Sequence, residues 1–493
     1  MLNYGKGGKN MAGIEPIYIP LRKNELSLEN IRPYFLTIMT TFNNNARKVQ
    51  KFRKIYENQH EIEFKKRRYD DDSDVNNKVA TPHLWAMVNF KTGYAFGNPK
   101  EYSQSADNQT DDIKFLNKYN KDANLRTIDK DVGTEIYAVG NCYYFIEPKD
   151  NLKDLDLNSE SPYVIYCKPS DTCAKVYSSY NGNEELFDIL VTKITDSTKG
   201  DRTIISIYLP DTYYEVETYD LSTFDENKAR RFERLKYKEL PLVEKYANNS
   251  RIGIVEIGET LQDAIDTIYS NEVDNIVDVV NELLVFKNCV LGKTQDEEAQ
   301  FVKTAKKNGV IVLNDRNPDV PAGLETISTK LNHSDILNLL ESIKNELYSS
   351  CGVPLATSDT SNGGNKQGAL QLGNGWENAY NRLLDEINSF IIADNKLLRK
   401  ILFICKKLAN SRLNTLNASE IEIKYNPNMT DNMLSKAQAY NQFVTNGVPP
   451  QIAIEWCRLS NDPISKGKII QDYMDAQKEQ DINSNIADNI ELQ

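Results

Sequence analysis

The chain has 493 residues and a formal net charge of −12 at pH 7, with 40% hydrophobic and 26% charged residues. This length exceeds what one hydrophobic core usually supports and indicates about two to four domains. The composition is that of a soluble globular protein, and the acidic balance excludes a protein that grips nucleic acid over its whole surface. The seven cysteines and three histidines lack disulfide-framework or zinc-site spacing, so we expect reduced thiols and no metal.

The N-terminal region is predicted to be a flexible arm, residues 1–26, which has glycines near its start. No signal peptide or membrane-spanning stretch is evident, so we expect a protein made in a cytoplasm. A helix is expected to begin after Ser27 or Asn30 and to continue, with an interruption, towards Tyr56.

Two stretches, residues 43–54 and 65–68, are rich in lysine and arginine. The second is followed at once by the acidic residues 70–72, so the two charges partly cancel. We interpret both stretches as solvated surface, with a nucleic-acid site as the less favoured alternative.

Apolar side chains recur at helical spacing over residues 84–93 and predict a helix that ends near Gly93. Short helices are also expected near 111–119 and 128–139. Beyond them the sequence predicts an antiparallel sheet, because short strand-like segments recur with turns between them and without helical crossovers. The predicted strands are residues 141–147, 163–167, 174–180, 187–192, 203–209 and 213–219.

The element that organises the chain is a predicted helix from Glu256 to Phe286, about 45 Å long at about 1.5 Å per residue. Its charge is one-sided, because eight acidic residues precede the first basic one, Lys287. A solvated helix face normally mixes charges to gain pairs between successive turns, and this helix forgoes them. The acidic residues are Glu256, Glu259, Asp263, Asp266, Glu272, Asp274, Asp278 and Glu282.

A second helix is predicted over residues 334–350 and is stopped by the sequence Cys-Gly-Val-Pro at 351–354. On these residues alone, the two helices form a hairpin with an inserted subdomain. The insertion is expected to contain strands at 289–291, 310–313 and 324–327 and a helix at 296–307. A loop rich in Ser, Thr, Asn and Gly follows over residues 355–367.

The C-terminal part is predicted to be mainly helical. A long helix is expected from Ala369 to Leu408, a strand at 421–425, and two or three helices within 430–477. The polar tail from Gln480 is expected to be disordered. The fold class is therefore α+β.

The search for catalytic motifs is negative. The glycine-rich segment 361–370 precedes a helix and carries Lys366, but it lacks the GxxxxGK[ST] order and no strand leads into it. Metalloprotease, serine-hydrolase and dinucleotide-binding motifs are missing from the sequence. The chain is therefore not expected to be an enzyme, and no cofactor is expected.

Seven segments, taken in order, resemble portal proteins of tailed bacteriophages, most of all the branch typical of long-tailed phages of Gram-positive hosts. Each segment is weak alone, but their order over residues 45–475 makes the resemblance fairly specific. The segments are NNKVATPHLWAMVNFKTGYAFGNP (76–99), EIYAVGNCYYFIEP (135–148), ELPLVEKYANN (239–249), ELLVFKN (282–288), CGVP (351–354), QGALQL (367–372) and KYNPNMTDNM (424–433).

The resemblance implies a ring of about twelve subunits at one capsid vertex, through which double-stranded DNA is packaged and ejected. It also implies a portal fold with an α/β wing, a two-helix stem, a small α/β clip and a helical crown. The implied regions are an N-terminal arm and first helix (1–45), wing (46–255), stem helices (256–286 and 331–350), clip (287–330), tunnel loop (351–368), long wing helix and return strand (369–425), crown (426–477) and polar tail (478–493).

The resemblance also implies roles for particular residues. Stem acids would line the channel and repel phosphates, so that DNA slides without strong contacts. A tunnel loop would face DNA, and basic clip residues would dock other proteins. The stem acids are Asp263, Asp266, Asp274, Asp278 and Glu282; the tunnel-loop residues are Ser361, Asn362, Gly363, Gly364, Asn365, Lys366 and Gln367; the clip residues are Lys303, Lys306, Lys307 and Arg316.

The partners implied by the resemblance are the packaging terminase, the neck adaptor, the major capsid protein and a scaffold protein. The chain would be assembled in the host cytoplasm and reside at the capsid vertex of the virion, with no membrane contact. Two alternatives stay open on the sequence. One is another non-catalytic head or neck ring protein, and the other is a nucleotide-binding enzyme that uses the loop 363–368.

Overall fold

The structure is a computed structural model, and the description that follows is confined to part of the chain. The described residues are 13–65, 76–104, 112–150, 152, 154–180, 184–195, 201–218, 229–233, 239–280, 283–288, 294, 296–297, 300–301, 323–327, 333–354, 376–409, 411–427, 433–457, 459 and 467–476.

Helices make up most of the described structure. The α-helices are Leu28–Ile31 (α1), Phe35–Tyr56 (α2), His83–Phe96 (α3), Asp112–Asp122 (α4), Leu125–Val139 (α5), Ile254–Val280 (α6), His333–Cys351 (α7), Trp376–Phe403 (α8), Met433–Thr445 (α9) and Pro450–Cys457 (α10). Residues 467–476 are also helical. A short π-helix, Ile404–Leu408, extends α8.

The strands within the described residues form four sheets. They are Ile17–Ile19 (β1), Glu101–Gln104 (β2), Asn141–Pro148 (β3), Tyr163–Pro169 (β4), Cys173–Ser178 (β5), Glu185–Ile194 (β6), Arg202–Tyr208 (β7), Thr212–Thr218 (β8), Arg230–Glu233 (β9), Leu242–Tyr246 (β10), Leu283–Lys287 (β11), Gly323–Ile327 (β12) and Ile421–Lys424 (β13). The sheet orders are β1-β5-β6-β7-β8-β9, β10-β3-β4, β11-β12 and β13-β2. The fold class α+β predicted from the sequence is confirmed.

The chain divides into two compact units. Unit 1 comprises Met1–Glu57, Pro82–Glu259 and Tyr348–Gln493, and unit 2 comprises Asn58–Thr81 and Thr260–Leu347. Unit 1 contains the six-stranded sheet, the three-stranded sheet and the β13-β2 pair, and unit 2 contains most of α6 and α7 together with the β11-β12 pair.

The main core of unit 1 lies between α2 and the six-stranded sheet. Buried side chains recur along α2 at positions 35, 38, 39 and 42, and they pack on isoleucine, valine and phenylalanine side chains of β1, β5, β6 and β7. This spacing places them on one face of the helix, where each fully buried apolar side chain contributes about 1.5–3 kcal/mol. Ser27 caps the preceding helix α1, because its side chain accepts a hydrogen bond from the Asn30 amide at 3.2 Å.

All six predicted strands are confirmed, with bounds that differ by a residue or two, but they belong to two sheets rather than one: β3 and β4 lie with β10, and β5 to β8 lie in the six-stranded sheet. The flexible-arm prediction is wrong for residues 13–26, because β1 pairs in parallel with β5. Ile17 and Ile19 of β1 are buried. The Asn45 side chain accepts a hydrogen bond from the Glu15 amide through Oδ1 and donates one to the Glu15 carbonyl through Nδ2. A three-residue strand carries too little alternation to be recognised from sequence. The short polar strands β2 and β9 were missed for the same reason.

Gly140 is needed where α5 turns into β3. Its φ is +121°, and a Cβ there would lie 2.0 Å from the carbonyl oxygen of Arg251. An L side chain would meet both backbone strain and a clash at this point. The glycine therefore lets α5 and β3 pass close to the segment that leads into α6.

In unit 2 the first long helix ends earlier than was predicted from the sequence. The sequence predicted helix to Phe286, but α6 ends at Val280, and Leu283–Lys287 is a strand that pairs antiparallel with β12. A short apolar run such as LLVFK cannot be assigned to helix or strand by periodicity alone. The predicted strand 324–327 is confirmed as β12.

The rest of the predicted insertion is only partly described. The strands at 289–291 and 310–313 lie outside the described residues. Of the predicted helix 296–307, residues 296, 297, 300 and 301 are described, and they are helical.

The predicted second helix is confirmed as α7, and its stop is confirmed too. Gly352 has a φ of +67°, and the Val353 amide donates to the Tyr348 carbonyl at 3.0 Å. This is the hydrogen-bond pattern that closes a helix C-terminus over a glycine. Arg382 of α8 adds a bond from Nη1 to the Ser350 carbonyl at 3.0 Å.

The helical character predicted for the C-terminal part is confirmed where it is described, by α8 to α10 and residues 467–476. The predicted strand at 421–425 is β13, which pairs with β2 from the other end of the chain. The start of the long helix, residues 369–375, and the polar tail lie outside the described residues.

Candidate functional site

Several described acidic residues of α6 contact groups in other parts of the chain. Within unit 1, Oε1 of Glu256 accepts from the Gly13 amide at 3.3 Å, and Glu259 forms an ion pair with Lys51 of α2. Within unit 2, the two side-chain oxygens of Asp263 accept from Lys65 Nζ, one of them at 2.6 Å. The helix therefore does without bases of its own because segments distant in sequence supply the compensating groups.

An extended segment, residues 76–81, lies along α6 in unit 2, and we call it the strap. Every second backbone amide of the strap donates to a side chain on a successive turn of α6. The three bonds are Asn77 N to Asp274 Oδ1 at 2.8 Å, Val79 N to Ser270 Oγ at 2.9 Å and Thr81 N to Asp266 Oδ1 at 2.9 Å. The strap thus runs antiparallel to the helix.

The repeat lengths of the two elements explain this pattern. Two residues of extended chain advance about 6.6 Å, and four residues of α-helix advance about 6.0 Å. Alternate strap amides therefore meet acceptors placed four residues apart on α6. The strap obtains from helix side chains the hydrogen bonds that a strand normally obtains from a neighbouring strand.

Asp266 is the centre of these contacts. Its side chain is fully buried. Oδ1 accepts from the Thr81 amide at 2.9 Å, from the Thr81 hydroxyl at 2.7 Å and from Gln262 Nε2 at 2.9 Å, while Oδ2 lies 2.5 Å from His60 Nδ1. One carboxylate therefore fixes both ends of the segment between residues 60 and 81.

Two contacts join α6 to α7 inside unit 2. Glu272 pairs with His333 Nδ1 at the beginning of α7. Lys344 Nζ donates to the Tyr269 hydroxyl at 2.5 Å and lies 4.9 Å from the centroid of that ring. A side-chain hydrogen bond and a cation–π contact thus add to the burial of Leu340 and Leu347 in α7.

The predicted channel-lining acids fall into three groups. Asp263 and Asp274 are half-buried and engaged as described. The Asp266 carboxylate is buried in a satisfied network and does not face water, so the expectation that it lines a channel is corrected for this residue. The side chain of Asp278 and the whole of Glu282 lie outside the described residues.

The other predicted site residues are not described either. The tunnel-loop residues Ser361, Asn362, Gly363, Gly364, Asn365, Lys366 and Gln367 lie outside the described residues. So do the clip residues Lys303, Lys306, Lys307 and Arg316. Their roles therefore stay predictions.

Four described basic residues of the two N-terminal stretches, Lys48, Lys51, Arg53 and Lys65, form ion pairs. Arg53 bonds Asp171 through Nη1 at 3.0 Å and Glu135 through Nη2 at 3.0 Å. Burial opposes the charge of Arg53, but these two carboxylates raise its pKa above the ordinary value. Lys51 and Lys65 pair with α6 acids. The sequence signal for these contacts was the excess of basic residues in the two stretches and of acidic residues in α6.

Unit 1 buries a charge network that was not predicted from the sequence. Lys100 and Lys245 both reach Asp394 Oδ1 at 2.9 Å, and Lys100 also reaches Asp129 Oδ1 at 2.9 Å. Tyr425 donates to the second oxygen of Asp394. All four charged side chains are at most 8% exposed. Two positive and two negative charges thus balance in the interior.

The two lysines of this network titrate differently. Burial lowers the pKa of Lys245 to about 8, because the attraction of Asp394 only partly offsets desolvation and the repulsion of Lys100. Burial also opposes the charge of Lys100, but Asp129 and Asp394 together raise its pKa well above the ordinary value. The pKa values of the two lysines shift in opposite directions because Lys100 contacts two carboxylates, whereas Lys245 contacts one.

A second ion cluster links β5, β6 and α8. Lys175 Nζ lies 2.9 Å from Glu185 Oε2 and 2.8 Å from Asp188 Oδ1, and Lys396 Nζ lies 2.6 Å from Glu185 Oε1. Burial opposes ionisation of Glu185, but the two lysines outweigh it and lower its pKa to about 2. Glu185 is therefore ionised throughout the physiological range.

Other site classes find no support in the described part of the chain. No group of histidine, cysteine, aspartate and glutamate side chains among the described residues is arranged to hold a metal ion. No described helix is both long enough and apolar enough to cross a lipid bilayer.

The described features comprise the α6–α7 helix pair, the strap along α6 and buried ion clusters in unit 1. The sequence profile of the family described as "Phage portal protein, SPP1 Gp6-like" matches residues 37–484, and the chain belongs to this family. The family is structural and its members are capsid components of phages. Comparison with curated proteins finds no match.

Proposed function

We propose that this chain assembles as a closed ring of about twelve subunits at one capsid vertex and conducts double-stranded DNA during packaging and ejection. The observation that carries the proposal is the family match over residues 37–484. The ring docks the terminase during packaging and a neck adaptor afterwards, while the major capsid protein and a scaffold protein contact its outer side.

Contacts between subunits are proposed to involve the two long helices. Ile276 of α6 and Leu337 and Leu339 of α7 are each about half exposed in the single chain. Apolar side chains grouped on exposed helices are typical of surfaces that a partner covers. A neighbouring copy of the same chain is the partner that a ring supplies.

The channel role of the acidic helix is proposed for only part of its acids. Asp266 serves to position the strap, and Asp263 is largely neutralised by Lys65. Asp278, near the end of α6, and Glu282, beyond that end in the sequence, are the acids proposed to repel DNA phosphates. Asp274 combines both roles, since it is half-buried and holds Asn77.

The tunnel loop and the clip complete the proposal. Lys366 is the one formal positive charge between residues 355 and 375 of the sequence. One lysine per subunit gives a sparse ring of cations that touches phosphates without holding DNA fast, and Asn362 and Asn365 add hydrogen bonds to phosphate oxygens. Lys303, Lys306, Lys307 and Arg316 provide the docking surface of the clip.

The proposal is tested by complementation. Expression of the chain in cells infected by its parent phage lacking the portal gene should restore heads filled with full-length DNA. Heads that stay empty would contradict the proposed function. The double variant Asp278→Lys, Glu282→Lys should assemble but package more slowly at low salt, where screening is weakest. The matched control Asp131→Lys, Glu160→Lys changes two exposed acids of unit 1 and should package normally.

A further inference from the structure

Two cysteines of unit 1 lie close enough to react with each other. Cys142 of β3 and Cys167 of β4 have their sulfur atoms 3.4 Å apart. The two strands are antiparallel neighbours, and Cys142 pairs with Pro169 while Cys167 pairs with Tyr144. A disulfide bond is about 2.05 Å long, so the sulfurs need to approach by only about 1.4 Å.

A third cysteine makes the pairing selective. The thiols of Cys142 and Cys173 both point at the Lys168 carbonyl, at 3.3 and 3.7 Å. Cys173 is fully buried and is a neighbour of the pair, but the sulfur–sulfur contact is between Cys142 and Cys167. Cys173 therefore serves as an internal control in an experiment that oxidises these three cysteines.

The two members of the pair differ in access to solvent. Cys142 is fully buried, whereas Cys167 is only half-buried. A soluble oxidant thus reaches Cys167 first, and Cys142 can then attack the oxidised sulfur from inside. This combination of an accessible thiol and an adjacent second thiol is the arrangement of a resolving pair.

We propose that Cys142 and Cys167 form an oxidation site that is reduced when the chain folds and closes to a disulfide in an oxidising medium. With a low-molecular-weight disulfide such as oxidised glutathione, the Cys167 thiolate attacks one sulfur and releases one glutathione. The deprotonated Cys142 then attacks Cys167 Sγ and releases the second glutathione. The two thiol protons end on the two glutathione thiols, so two cysteines are oxidised and one glutathione disulfide is reduced.

The time at which the chain meets an oxidising medium rests on the proposed function, whereas the thiol chemistry does not. A capsid component is made in the reducing host cytoplasm and leaves it when the host cell lyses. The disulfide would then tie β3 to β4 around a closed loop of about twenty-five residues, which disfavours the unfolded chain. The strands it ties carry Tyr144 and thus adjoin the buried charge network.

The test uses the full chain, purified under reducing conditions and incubated with oxidised glutathione. We expect an intramolecular link between the peptides containing residues 142 and 167 in a non-reducing digest. We also expect a mass loss of about 2 Da and a fall in alkylatable thiols from seven to five under denaturing conditions. The denaturant midpoint should rise on oxidation and return to its original value after reduction.

Variants separate this proposal from general thiol oxidation. The Cys173→Ser chain should still form the link, and the Cys142→Ser chain should accumulate only a glutathione adduct at Cys167. Burial raises the pKa of Cys142, so closure should accelerate about tenfold per pH unit in the neutral range. A stable adduct without closure in the unmodified chain, or a link to Cys173, would overturn the proposal. Failure of the ring or of packaging would leave this result unaffected, so the two hypotheses are tested separately.

Discussion

The buried carboxylate of Asp266 provides the sharpest test of how the acidic helix is braced. In Asp266→Ala the strap loses the acceptor at Thr81, and Gln262 and His60 lose theirs. These donors stay buried, so the variant measures the cost of leaving them unpaired. Asp266→Asn keeps an oxygen where Oδ1 stands and places an amide group beside His60 Nδ1.

The expected magnitudes follow from these contacts. Removal of one partner from a buried charged network typically costs about 3–5 kcal/mol, less than the sum of its separate hydrogen bonds. We expect this loss for Asp266→Ala in the local stability of unit 2. Asp266→Asn should lose about 1–2 kcal/mol, because charge-assisted bonds become neutral ones of similar geometry.

Amide hydrogen exchange is the assay, because the strap amides are observed individually. In the unmodified chain the amides of Asn77, Val79 and Thr81 should be protected. Since about 1.4 kcal/mol corresponds to a factor of ten, Asp266→Ala should lower the protection of Thr81 by about a hundredfold or more. The control Glu341→Ala removes an exposed acid of α7 in the same unit and should change protection by less than about twofold.

The reasoning would be refuted by unchanged Thr81 protection in Asp266→Ala. It would also be refuted if Asp266→Asn and Asp266→Ala lost the same amount, since the geometry of the carboxylate would then not matter. Ser270→Ala offers a check on register. The Ser270→Ala variant should lower the exchange protection of the Val79 amide most, because that amide donates to the Ser270 hydroxyl.

Three further predictions concern unit 1 and the tunnel loop. Asp394→Ala should lower the free energy of unfolding by about 3–5 kcal/mol, because Lys100 and Lys245 lose their shared carboxylate, and denaturant titration measures this loss. The pKa of Glu185 is depressed in the folded chain, so its stabilisation is complete above pH 4.5 and lost as the pH falls towards 2; Glu185→Gln should flatten this part of the stability profile. Lys366→Glu should leave ring assembly normal while full-length genome packaging fails, as measured by encapsidated DNA length.

Each of these predictions has a control. Asp131→Ala and Glu160→Gln remove exposed carboxylates of unit 1 and should leave stability and its acid dependence nearly unchanged. Lys366→Arg keeps the positive charge and should package DNA normally. Equal losses in a variant and its control, or full-length genomes from Lys366→Glu, would count against the corresponding prediction.

Elements with long periodic patterns were predictable from the sequence. The repeats of α2, α6 and α7 contain enough turns for the apolar stripe to be recognised. Strands β3 to β8 were found because turn signals separate apolar, β-branched and aromatic runs. The end of α6 was missed, since the apolar run of β11 follows it after two residues and fits either helix or strand.

The contacts that define the site were not predictable in the same way. His60 and Asp266 are separated by 206 positions, and the strap has no side-chain periodicity of its own. Its order depends on backbone amides, which every residue except proline possesses. Lys100 and Lys245 are buried, although lysines are normally exposed. Only a fold that brings two carboxylates to them makes their burial tolerable.

Electron microscopy of the purified protein at high micromolar concentration is the most direct test of ring assembly. We expect closed rings with an axial opening wide enough for duplex DNA, and density for the α6–α7 helix pair around that opening. Particles that remain single chains or pairs at this concentration, or rings without an axial opening, would contradict it.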